Sequence, residues 1–209
     1  TILERFERGE TDVLLGTQMI AKGLDFGGVT LVGVVNADTG MLFPDFRAEE
    51  RTFQLLTQVA GRSGRSDLPG EVYFQTRNPD HPAIRFAREH DYHGFVESEL
   101  PQRRQFGYPP YGRMVGVEFR GKSARRVESV AEDWTRILKE RVEEGRVQGP
   151  SEAFVGKVKG KYRFHTLVRI PRKVPSGRIR QWFRSTEEAY GSVPGECRVA
   201  IDVDPVGRF

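Results

Sequence analysis

The run Gln58-Val59-Ala60-Gly61-Arg62-Ser63-Gly64-Arg65 carries the side chains best suited to chemistry on a phosphate. Arg62 and Arg65 lie three residues apart, hence on one face of a helix. Planar guanidinium donors bond phosphate oxygens in pairs and neutralise the charge that develops during phosphoryl transfer. A solvent-facing arginine pair is the plainer alternative, since the chain holds 33 Lys and Arg. A second cationic feature lies near the C-terminus. From Ala153 to Thr186 there is no acidic residue but ten basic ones, among them Lys157, Lys159, Lys161 and Arg163. Acidic residues normally intersperse a solvated face, so the run points to nucleic acid or another polyanion. Alternating Lys157, Lys159 and Lys161 would share one face of a strand with Val158 on the other, a row of ammonium groups able to follow a phosphate backbone. Tyr162 beside that row could stack on an unpaired base, while Phe164, Trp182 and Phe183 read as core.

Metal and disulfide chemistry is not offered by the sequence. The single cysteine, Cys197, can neither close an internal disulfide nor hold a zinc ion by itself. His81, His90, His93 and His165 lack ligand-like spacing and read as surface histidines. This cysteine usage points to a reducing, cytoplasmic compartment. No apolar run approaches the length of a membrane span. The chain opens without an initiator Met on a segment, Thr1 to Arg8, that already reads as helix, so further sequence is expected upstream.

Around these groups the expected elements alternate. After a helix end over Thr1 to Gly9 comes a short apolar strand, Asp12 to Gly16, and a loop or short helix from Thr17 to Ala21. Val29 to Asn36 is a continuous apolar run of the kind buried on both faces of a parallel sheet. A helix over Ala48 to Ala60, a strand over Gly70 to Gln75 and a helix over Pro82 to Leu100 follow. Two prolines and two glycines in Phe106 to Gly112 then mark a rigid boundary. Beyond it the reading is a strand at Met114 to Phe119 and a helix from Ser123, its N-cap, to Glu143. Strands follow near Val155 to Lys159 and Phe164 to Ile170, then a helix over Ser176 to Tyr190 and a strand over Arg198 to Val203. The order β-α-β-β-α-β is that of a small ferredoxin-like domain. The domains are thus 1–105, α/β with a parallel sheet, and 113–209, α+β, joined by 106–112. Charge separates them too: residues 1–110 carry 12 Lys and Arg against 16 Asp and Glu, and residues 111–209 carry 21 against 13.

Taken together, the motifs resemble a helicase. Gln58 to Arg65 fits Q-x-x-G-R-x-x-R, motif VI of superfamily 2 helicases, and Gly16-Thr17-Gln18-Met19-Ile20-Ala21-Lys22-Gly23-Leu24-Asp25 fits motif V at the expected distance upstream. The segments Phe43-Pro44-Asp45-Phe46-Arg47-Ala48, Tyr108-Pro109-Pro110, Lys159-Gly160-Lys161-Tyr162-Arg163 and Asp202-Val203-Asp204-Pro205 are similar to the PriA family of replication-restart helicases, over nearly the whole chain. The resemblance implies the C-terminal part of a RecA-like second helicase lobe. It places Thr17, Gln18 and Lys22 near a DNA strand, Gly23 and Asp25 toward the nucleotide, and Gln58, Arg62 and Arg65 at the phosphates of ATP and its Mg²⁺. It also implies 3′ to 5′ translocation, recognition of abandoned forks by a C-terminal domain that contacts branched DNA, and partnership with primosome proteins and single-stranded DNA-binding protein. For Asp38 and Arg47, a buried structural ion pair and a functional role both stay open. The phosphate-cradling loop and the acidic Mg²⁺ motif of a complete motor are missing, so this chain alone is expected not to hydrolyse ATP. The family's zinc module would lie upstream. The alternative reading is a non-catalytic module that recognises DNA structure and partner proteins through a degenerate motor.

Overall fold

The computed structural model describes residues 1–17, 28–61 and 70–205, and the chain divides into two units, Thr1–Glu99 and Leu100–Phe209. The division falls within a helix, and the Pro- and Gly-rich segment 106–112 belongs to the second unit.

The first unit opens on α1 (Ile2–Glu7), started by a reciprocal cap in which the Thr1 hydroxyl accepts from the Glu4 N–H at 3.3 Å. Two parallel strands, β1 (Leu31–Val34) and β2 (Glu71–Phe74), pair in register from Leu31 opposite Glu71 to Val34 opposite Phe74. Between them in sequence lies α2 (Ala48–Ala60), whose buried face is Ala48, Thr52, Phe53, Leu56 and Val59. That face packs on α3 (Pro82–Arg88), and the Phe53 ring stacks on Phe95 of α4 (Tyr92–Phe106) with centroids 4.4 Å apart.

Three expectations need correction here. Asp12 to Gly16 forms no strand, and Val13 and Leu15 are exposed, because the segment finds no neighbouring strand among the described residues to satisfy its backbone groups. β1 is not buried on both faces but alternates exposed and half-buried positions, since β2 is its sole partner among those residues. The single helix expected over Pro82 to Leu100 is two. His90 takes a left-handed φ of 52°, and the Asp91 carboxylate accepts from the Gly94 N–H at 2.8 Å, ending one helix and starting the next.

The second unit is a four-stranded antiparallel sheet built from β3 (Gly112–Gly121), β4 (Arg146–Val158), β5 (Lys161–Pro171) and β6 (Cys197–Val203), in the order β4-β5-β3-β6. Helices α5 (Ala124–Arg141) and α6 (Ser176–Tyr190) connect β3 to β4 and β5 to β6. Both pack on one face of the sheet. That face carries Val115, Val117 and Phe119 of β3 with Val168 and Ile170 of β5. The helices cover it with Trp134, Leu138, Trp182 and Phe183. Within this core the Thr135 and Thr166 hydroxyls bond at 2.6 Å, tying α5 to β5. Ser123 stands at the N-cap of α5 as expected, without a side-chain cap bond. The structure is thus mixed α and β, with one parallel and one antiparallel sheet.

Candidate nucleic-acid interface

Of the residues expected around the nucleotide, Gly23, Asp25, Arg62 and Arg65 lie outside the described residues, as do Gln18 and Lys22 of the expected DNA contact. Thr17 and Gln58 are described and exposed. Gln58 sits in the last turn of α2, on the side away from the buried Val59 and Leu56, so the helix that precedes Arg62 turns its polar stripe outward. Near the carboxyl ends of β1 and β2, where open α/β sheets place ligands, Asp38 joins the two following loops. Its carboxylate accepts from the Thr76 hydroxyl at 2.6 Å and from the Arg77 N–H at 2.9 Å. These bonds, the Thr76 one foremost, hold the carboxyl below its usual range. Asp38 therefore has a positional role, as a loop clamp. Asp45 has another, bonding Arg51 at 2.5 Å and capping the Arg47 N–H at 2.9 Å.

The basic residues of the second unit are rearranged from the expected row. Lys159 and Gly160 have φ of 49° and 76°, so the two form the tight turn of a β4–β5 hairpin. Lys157 pairs across it with Tyr162 and Val158 with Lys161. Lys157 and Lys161 consequently point to opposite faces, and the three lysines are not one row: a turn interrupts the strand that a row would need. All three are exposed. Lys157 lies over the Tyr162 ring at 4.6 Å, which places a cation on the face a base would stack against. Arg163 is drawn inward. Its Nε donates to the buried Glu118 carboxylate at 2.8 Å, and Arg120 donates to the same carboxylate.

Sequence reading missed Glu118 and Arg120. The signal was there as two charged residues at alternate positions of a mainly apolar strand, but the second arginine on Glu118, Arg163, is set by strand register. Phe164, Trp182 and Phe183 are core, as read. His165 is half-buried beside Ser151, its Nε2 3.4 Å from the hydroxyl. Burial first, then the Arg163 guanidinium, depresses its basicity. Burial likewise raises the Cys197 thiol. Among the described residues no group of three or more His, Cys, Asp or Glu could hold a metal ion, and no helix is long and apolar enough to cross a membrane.

The chain thus has a parallel-sheet unit followed by an antiparallel-sheet unit rich in basic residues, an architecture that fits the end of a helicase lobe joined to a further domain. Comparison with known proteins agrees. Residues 1–67 match the helicase conserved C-terminal domain, and residues 104–206 match the primosomal protein N C-terminal domain. The replication restart protein PriA of Synechocystis is 41% identical over 98% of this chain and 24% of its own length. Those of Bacillus subtilis and Treponema pallidum are each 43% identical, over 80% and 98% of the chain and 21% and 31% of their own lengths. The chain belongs to the PriA family, as its C-terminal part, and spans about a quarter of the length of these relatives.

Proposed function

We propose that the chain is the C-terminal part of an ATP-dependent, 3′ to 5′ DNA helicase that binds stalled or branched forks and promotes primosome assembly. The observation that carries this is the place of Gly16 to Asp25 and Gln58 to Arg65, both inside the segment that matches the helicase C-terminal domain. In this reading Gly23, Asp25, Gln58, Arg62 and Arg65 supply half of a cleft for ATP and Mg²⁺, and an upstream lobe supplies the other half. Thr17, Gln18 and Lys22 hold the tracked strand by its phosphates. The order β4-β5-β3-β6 with both helices on one face supports reading the second unit as a ferredoxin-like, DNA-binding domain. Primosome proteins and single-stranded DNA-binding protein are the partners proposed.

The test is ATP-dependent unwinding of a forked duplex by the full-length protein. Unwinding with 3′ to 5′ polarity supports the reading. Fork binding without ATP hydrolysis would assign the chain instead to a non-catalytic recognition module.

A further inference from the structure

Helices α5 and α6 cover only one face of the antiparallel sheet, and the strand register decides what stands on the other. Arg120 is directly opposite Arg163 on β5 and opposite Arg198 on β6, so three arginines form one row across three adjacent strands. Like charges directly opposite one another on a sheet are destabilising. Glu118, buried beneath the row, offsets part of this by bonding Arg120 and Arg163, but two guanidinium groups share one carboxylate there. Arg198 is exposed and forms no ion pair among the described residues.

A second cluster occupies the far end of the same face. β3 and β5 pair without interruption from Gly112 to Gly121, so Arg169, six residues along β5 from Arg163, shares its face about 20 Å away. Arg146 is directly opposite Arg169, another like-charge pair. Together with Arg104 these two line a concavity of about 490 Å³ with no carboxylate in its wall. Arg169 is fixed in place, donating to the Phe106 carbonyl at 3.0 Å and lying over the Tyr108 ring at 5.3 Å. Its Nε is nevertheless buried with no hydrogen-bond partner, an arrangement that costs stability unless a ligand supplies an acceptor. Arg104 is held over the Tyr111 ring at 4.8 Å. Between the clusters the face carries His165 and Leu167 of β5, both half-buried, with Gly116 on β3 and exposed Ala200 on β6 beside them. The exposed Asp202 stands opposite Gly116 on the β6 edge, away from the β5 line that joins the two clusters.

We propose that this helix-free face, rather than the lysine hairpin, carries the sugar-phosphate backbone of a DNA strand, gripped by the Arg163–Arg120–Arg198 row at one end and by Arg146 and Arg169 at the other. The inference rests on the reading of the second unit as DNA-binding. Guanidinium forks match phosphate oxygens. A separation of about 20 Å corresponds to about six steps of a strand rising 3.4 Å per nucleotide. The positions of β3, β5 and β6 that share this face with Arg120, Arg163 and Arg198 hold no Phe, Tyr or Trp. Along the strands binding is therefore by phosphate, with slight sequence preference, and the exposed ring of Phe106 is present only at the concavity.

The experiment titrates fluorescent single-strand-tailed DNA with the 209-residue chain over a salt series. Arg146→Ala with Arg198→Ala removes two exposed guanidinium groups without stranding a buried charge. The expected result is a log-log salt slope flattened by about 1.5 units, at 0.7 to 0.9 for each phosphate no longer neutralised. Arg146→Lys with Arg198→Lys, which keeps the charge on the same face, should retain the wild-type slope and shows that missing charge, not misfolding, explains the alanine pair. The proposal is overturned if the alanine pair keeps the wild-type slope while replacing Lys157, Lys159 and Lys161 with Ala flattens it; DNA-binding then stands and the hairpin is its site. Failure of the wild-type chain to bind DNA at low salt overturns the DNA-binding reading itself, and this inference with it.

Discussion

Glu118 of β3 and Arg163 of β5 form a largely buried ion pair, with the arginine Nε 2.8 Å from the carboxylate. It links two central strands on the helix-free face of the second unit. Glu118→Ala leaves Arg163 and its cross-strand neighbour Arg120 facing one another with no anion between them. The expected loss is about 3 kcal/mol, the range for removing one partner of a buried pair, read from the urea midpoint of the second unit's transition. A change under about 0.5 kcal/mol would mean that solvent screens the pair as it does a surface one.

The hydroxyl pair of Thr135 and Thr166 gives a signed test of the core. Thr166→Val alone leaves the Thr135 hydroxyl buried without its partner and should destabilise by about 1 to 3 kcal/mol. Adding Thr135→Val removes the stranded group. The double variant should therefore recover much of the loss, and a denaturation series on both variants checks this. A strictly additive double variant contradicts the pairing.

His165 makes the second unit sensitive to acid. Its folded basicity is depressed below the ordinary value of 6.5, first by burial and then by Arg163, so the unfolded chain binds the proton more readily. The stabilising contribution is present above about pH 6.5 and is lost as the pH falls below it. Urea midpoints at successive pH values from about 7.5 to 5 should fall for the wild type and fall less for His165→Asn. Equal falls in both would place the acid sensitivity elsewhere.

For the motor, Arg65→Ala in the full-length protein should lower DNA-stimulated ATP hydrolysis by about 10³-fold or more, as loss of a phosphate-directed arginine does. Fork binding should stay within a few-fold, because such an arginine acts on the transition state. Turnover unchanged in a colorimetric phosphate-release assay would remove Arg65 from the nucleotide site.

Local pattern determined a good deal of this protein. The spacing of Val127, Val130, Ala131, Trp134 and Leu138 specified a helix with one buried stripe. The alternation of Val and Gly with polar residues over Met114 to Phe119 specified a strand, and both hold, though β3 is buried at Met114 and Glu118 on its other face as well. The Gln58 to Arg65 and Gly16 to Asp25 motifs carried the helicase resemblance by residue type and spacing alone. Other features depended on partners far away in sequence. Asp12 to Gly16 has strand composition but no neighbouring strand among the described residues. Lys157, Lys159 and Lys161 alternate as a strand face does, yet the turn at Lys159 and Gly160 sends Lys157 and Lys161 to opposite sides. Arg120, Arg163 and Arg198 are 35 or more residues apart in the chain and form one row only because β3 pairs with both β5 and β6. Local propensity and period are properties of neighbouring residues, and the sequence displays them. Strand register and sheet order are set by packing the whole domain, so the charge row on the helix-free face came into existence only with the tertiary fold.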